Sequence, residues 1–178
     1  MNQYSILLML HLIKSADMEY SNDVTLSHPL SKHARNLNEL SRNDGGKGLF
    51  DNDAIAISLD DAEHSRGVSP NMTMDIAIGT IRKGTADNPR NEKMTMCEFR
   101  FNFKSMKNIS KTDLEEKIRH SRTLLQQDEY PINETCYFLF SDNLINQARN
   151  AFNRLYHPRT KHRVVKTEAE MSELLSRG

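Results

Sequence analysis

The run MTMCEFRFNF, residues 94–103, sets Cys97, Phe99, Phe101 and Phe103 on one parity and Glu98, Arg100 and Asn102 on the other. A period of two sends successive side chains to opposite faces of an extended strand. The run is therefore a strand with a packed aromatic face, and its charges lie on the opposite face. Its neighbours set the fold class. MTMDIAIGTI at 72–81 alternates and reads as the preceding strand, joined to it by a polar hairpin-type connection at 83–93 with Gly84, Asn88 and Pro89. AIAISL at 54–59 is a short strand before that, and TCYFLF at 135–140 is a continuous apolar run suited to a strand buried on both faces. Between the last two strands, Ser110 caps a helix at 111–127 with Leu114, Ile118 and Leu125 as its apolar stripe. Strands joined by short connections should pair antiparallel, and a helical crossover should return the next strand parallel. The expectation is an α/β fold with a mixed central sheet: three antiparallel strands, then a helix crossover to a parallel strand, flanked by helices.

The flanks are read as follows. Residues 3–20 form a helix with a broad apolar face, and 29–42 a second helix bearing Leu30, Ala34, Leu37 and Leu40, ended by Asn43-Asp44-Gly45-Gly46. The segment 60–71 is a loop. After the fourth strand, Asp142 caps a helix at 143–156, HRVVK is a short edge strand, and Thr167 caps a closing helix at 167–176. The whole chain, 1–178, reads as a single domain with a core at about 29–141 and a helix-strand-helix extension at 142–178.

Composition narrows the function classes. Hydrophobic residues are 37% and charged residues 27%, as in a globular chain, and the net charge is zero. The charge is uneven: residues 1–89 hold 8 basic and 12 acidic side chains (−4), residues 90–178 hold 16 and 12 (+4). An acidic site can thus face a basic surface. Cys97 and Cys136 sit in apolar runs and read as core thiols, too few for a disulfide framework or a cysteine-ligated zinc. The run ILLMLHLI is too short for a membrane span and has no basic residue before it, so the expectation is a cytoplasmic protein with no membrane partner. The sequons at Asn71, Asn108 and Asn133 are then chance.

Strand parity points to the chemistry. Asp75 lies opposite Met74, Ile76 and Ile78, with small Ala77 and Gly79 on its own side, and Glu98 lies opposite the phenylalanines. If the two strands are neighbours, both carboxylates leave the same sheet face. Close carboxylates repel and invite a divalent cation with oxygen ligands. The competing reading makes both half-exposed strand residues, with Glu98 paired to Arg100.

An Asp on the second strand, Glu98-Phe99-Arg100 on the third, then helix and strand, resembles the PD-(D/E)XK nuclease superfamily, the restriction-endonuclease-like fold. The resemblance covers about 29–141. It implies metal-dependent phosphodiester hydrolysis of DNA, with Asp75 and Glu98 binding Mg²⁺ or Mn²⁺, the Phe99 carbonyl as a further donor, and Glu39 assisting from the helix before the sheet. It also implies Arg100 in the slot of the signature Lys. Arginine can stabilise phosphate charge, but its pKa above about 12 bars it from sharing a proton with water. Lys104 is six residues beyond Glu98, about 20 Å at strand rise; Lys83, Lys93 and Lys32 are the candidates to migrate in. Some members of the superfamily bind without cutting.

Basic residues supply a surface for backbone phosphates: Lys104, Lys107 and Lys111 between strand and helix, and Arg159, Lys161 and Arg163 within RLYHPRTKHRVVK. A solvated loop is the alternative for either run. Asp44-Gly45-Gly46-Lys47-Gly48 lacks the P-loop residues and reads as a turn, Asp51-Asn52-Asp53 as a lead-in to a strand, and the seven histidines show no zinc spacing. The expected function is a PD-(D/E)XK-type DNA nuclease, a homodimer being compatible with it. The alternative is a non-catalytic nucleic-acid-binding or assembly module, which should join Glu98 and Arg100 as a plain ion pair.

Overall fold

A computed structural model describes residues 18–67, 69–85, 88–158 and 160–176. In chain order the elements are β1 (Met18–Tyr20), α1 (Asn22–Ser27), a 3-10 turn (Pro29–His33), β2 (Ala34–Asn36), α2 (Leu37–Asn43), β3 (Ile55–Ser58) and α3 (Leu59–His64). There follow β4 (Ile76–Thr85), β5 (Asn88–Arg100), α4 (Lys111–Leu124), β6 (Cys136–Phe140), α5 (Ile145–Leu155), β7 (Arg163–Lys166) and α6 (Glu168–Leu175). The strands form one seven-stranded sheet in the order β2-β3-β4-β5-β6-β7, with β1 paired to β4 beyond the end of β3. Pairs from β2 to β5 are antiparallel, whereas β5–β6 and β6–β7 are parallel. The expected mixed α/β sheet with its helical crossover is present.

Each sheet face carries its own core. Ile57, Ala77, Met94, Met96, Phe138 and Phe140 pack under α4 and α5 through Leu114, Ile118, Ala148 and Phe152. On the other face Ala56, Ile76, Ile78, Cys97, Phe99 and Leu139 pack against Leu37 of α2 and Met171 and Leu175 of α6. The parity expected for Cys97, Phe99 and Phe101 holds, and β6 is buried along its whole length. Among the described residues no helix is long and apolar enough to cross a membrane.

Several expected boundaries move. Residues 3–17 of the expected first helix lie outside the described residues, and Met18–Tyr20 are strand, paired with Thr80–Arg82. The expected helix at 29–42 is three elements. Ala34–Asn36 is drawn into the sheet by Ile55–Ile57, and the Asn36 side chain accepts the N–H groups of Asn38 and Glu39 to start α2 afresh. Part of the expected loop at 60–71 is helix, because the Ser58 hydroxyl caps α3 by accepting from Asp61 N–H. β4 starts at Ile76, later than expected, and it and β5 consume most of the polar connection, since ladder bonds form regardless of side-chain polarity. Phe103 leaves the strand: the chain turns after Arg100 and the ring packs on Phe140, in the core of the opposite face.

Candidate metal centre on the sheet

The β4–β5 ladder ends at Ile76 opposite Cys97. Asp75 precedes Ile76 and Glu98 follows Cys97, so both lie just past the end of the ladder, near enough for the Glu98 charge to act on Asp75. Asp75 takes over where the ladder stops. Its Oδ2 accepts the Phe99 N–H at 2.5 Å and its carbonyl accepts the Leu59 N–H at 2.9 Å, fixing it between β5 and α3.

The face that carries this pair is roofed by α4. Leu114 and Ile118 are buried in the core, and the Ser121 hydroxyl accepts the Met74 N–H at 2.7 Å, next to Asp75. One turn before Ser121, Lys117 reaches down and its Nζ lies 2.7 Å from Glu98 Oε1. Arg100 holds the same oxygen at 2.5 Å, its guanidinium stacked 4.6 Å from the Phe103 ring centroid. Glu98 is 1% exposed, yet its Oε2 is buried with no hydrogen-bond partner among the described residues.

The electrostatics follow from burial. Loss of water and then the Glu98 charge push the Asp75 carboxyl up to about 8, against the opposing pull of the Phe99 N–H and Lys117. Burial also raises the Glu98 carboxyl, opposed by Arg100 and Lys117. Two further carboxylates act on the cluster. Asp44 ends α2; burial and the Asp60 charge raise its pKa, and Lys117 and Arg100 lower it. Asp60, in the first turn of α3, accepts from the Thr73 hydroxyl at 2.7 Å and adds to the charges on Glu98.

Of the expected site residues, Asp75, Glu98 and Arg100 come together. Glu39 does not join them: it is exposed in the first turn of α2 and is not among the charges acting on either carboxylate. The same helix contributes Asp44 from its far end. Of the lysines weighed for the signature position, Lys32 is exposed, Lys93 lies well back along β5, and the Lys83 side chain falls outside those described. Lys117 was missed, although it follows Leu114 by three and precedes Ile118, which puts it on the border of the stripe that α4 buries.

The basic surface divides. Lys104, Lys107 and Lys111 are exposed together ahead of and at the start of α4, and Lys111 Nζ is 5.3 Å from the Tyr156 ring centroid. Lys161 is exposed and Arg159 lies outside the described residues. Arg163 is engaged within the chain: Nε and Nη2 each bind Glu115 at 2.8 Å, and the Tyr156 hydroxyl donates to Glu115 Oε1. The glycine-rich turn is also engaged internally. The Glu168 carboxylate accepts N–H groups from Lys47, Gly48 and Leu49 and the hydroxyl of Ser41, tying α6 to the loop that follows Asp44.

Among the described residues no group of three or more His, Cys, Asp or Glu side chains is gathered to hold a metal ion by itself. The donors present still suit Mg²⁺ or Mn²⁺, which are commonly bound by one or two carboxylates, with waters and substrate phosphate completing the shell. The unpartnered Glu98 Oε2 is a donor oxygen of that kind. No protein-family model matches the sequence, and no match was found among curated proteins or solved structures.

Proposed function

We propose that this chain is a metal-dependent nuclease of the PD-(D/E)XK type, acting on DNA. One observation carries the reading. Two carboxylates adjoin at the end of the β4–β5 ladder, one has a buried oxygen left open, and a lysine ammonium binds its other oxygen. The element order supports it: α2, then antiparallel β3-β4-β5, the α4 crossover and parallel β6.

On this reading Asp75 and Glu98 hold Mg²⁺ or Mn²⁺, and the bound metal supplies an activated water and neutralises charge developing on the phosphate. Phe99 N–H keeps Asp75 Oδ2 aimed across the strand pair. Lys117 provides what Arg100 cannot, an ammonium able to hold or share a proton of the attacking water, while the Arg100 fork binds a phosphate oxygen. Lys104, Lys107 and Lys111 continue the path for backbone phosphates without reading sequence. Lys111 is six residues before Lys117, about 9 Å along the helix axis.

The second reading, a module that binds nucleic acid without cutting, has an observation of its own: Glu98 and Arg100 form the ion pair expected of it. The open Oε2 and the added Lys117 favour the nuclease. Nicking of supercoiled plasmid with Mn²⁺ or Mg²⁺, comparing wild type with Asp75→Ala, Glu98→Ala and Lys117→Met, decides between them. The nuclease requires cleavage by wild type and its loss in all three. DNA shifted on a gel but never cut selects the binding module, and neither result removes DNA as the partner.

A further inference from the structure

Glu98 is held on one side only. Oε1 takes both Lys117 Nζ, at 2.7 Å, and Arg100 Nη2, at 2.5 Å, while Oε2 takes nothing. The two cations touch the same oxygen, so their nitrogens are at most about 5 Å apart and repel each other. They are largely withdrawn from water, Arg100 at 21% and Lys117 at 19% side-chain exposure. One cation would neutralise Glu98. The second sits among further carboxylates: Asp75 beside Glu98, and Asp44 at the end of α2, on which both cations act. Ionised, Asp75 and Glu98 alone are matched by one ammonium and one guanidinium. A divalent ion entering at Oε2 and Asp75 would add two positive charges next to these two cations.

We propose, resting on the nuclease reading, that Lys117 and Arg100 are built-in counter-ions of the Asp75–Glu98 pair that compete with the metal and so set its affinity. The division of Glu98 suits this role: Oε1 carries the two side chains, and Oε2 is the oxygen left without a partner among the described residues. Their positive charge acts on the metal through space, in a pocket where water screens it poorly. Removing either one should tighten metal binding even while it harms catalysis. Loss of packing or of site geometry would loosen binding, so the sign separates this role from a structural one.

The test is titration of the folded protein with Mn²⁺ alone, by calorimetry at low ionic strength and pH 8, for wild type, Lys117→Met, Arg100→Met and Glu98→Gln. The two cation variants lose different contacts, and urea melts identify which are folded. The expected result is Mn²⁺ binding about tenfold tighter in Lys117→Met and in Arg100→Met than in wild type, and lost in Glu98→Gln. Wild-type binding that is unchanged or weakened in the folded cation variants overturns the counter-ion role and leaves the nuclease reading standing. Absence of Mn²⁺ binding in wild type and both cation variants overturns the nuclease reading itself.

Discussion

Replacing Asp75 with Asn tests whether the charge on Asp75, buried beside Glu98, destabilises the fold. The Asp75 carboxyl moves from 3.8 to about 8 through burial and the facing Glu98. The folded chain therefore binds a proton more tightly than the unfolded chain. That contribution to stability is fully present below about pH 4 and is lost as pH rises through about 8. The slope is about 1.4 kcal/mol per pH unit for one proton, so wild type should lose up to about 4 kcal/mol between pH 5 and pH 8 from this group alone. Partial hydration of the site reduces this to an observable ~2 kcal/mol or more. Asparagine is never charged, and its side-chain oxygen still accepts the Phe99 N–H. Urea unfolding in EDTA at pH 5 and pH 8 should therefore show a smaller loss of stability in Asp75→Asn. At pH 8 the variant should be the more stable protein. Adding Mg²⁺ at pH 8 should restore wild type and leave the variant unchanged. A variant less stable than wild type at pH 8 in EDTA would refute this account, since Asp75 would then be a favourable partner of Lys117 and the backbone.

Three further outcomes can be checked separately. Glu115→Ala leaves the half-buried Arg163 guanidinium without the carboxylate it binds at 2.8 Å through two nitrogens, and should cost about 2 kcal/mol in chemical denaturation, whereas Lys161→Ala should be neutral. Gly79→Ala would put a Cβ 2.5 Å from Thr25 N and 2.6 Å from Ser21 O, so α1 must shift off β4; a loss of about 2 kcal/mol or more is expected, read as a fall in Tm. Lys104→Gln with Lys107→Gln should weaken DNA binding and lower the slope of log affinity against log salt by about 1.8, if each side chain meets one phosphate.

The sheet was legible where one segment contains its own evidence. β5 announces itself by alternation and β6 by a five-residue buried run. Thr167 forms the full capping box that starts α6, and the Ser110 hydroxyl caps α4. Legibility failed where a partner decides. Leu30, Ala34, Leu37 and Leu40 have helical spacing, yet Ala34–Asn36 gains more by closing the edge of β3 than by continuing a helix. Asp142 was expected to cap α5, but it is drawn to Lys47 at 2.7 Å, and the helix starts at Ile145 without a side-chain cap.

The site divides along the same line. Asp75 and Glu98 could be found from the sequence because both lie on strands joined by a short connection, where parity and register are local quantities. Lys117 could not, because its position depends on how α4 rotates over the sheet, and that rotation is set by Leu114, Ile118 and the Ser121–Met74 hydrogen bond. Asp44 depends in turn on a turn clasped by Glu168, more than a hundred residues away. Spacing along a strand therefore does not reveal which lysine lies against Glu98. Strand rise carries Lys104 about 20 Å from Glu98, whereas a helix crossing over the sheet brings a residue 19 positions away into contact with the same carboxylate. The lysine beside these carboxylates is set by a place in space, and the packing of α4 on β5 specifies that place.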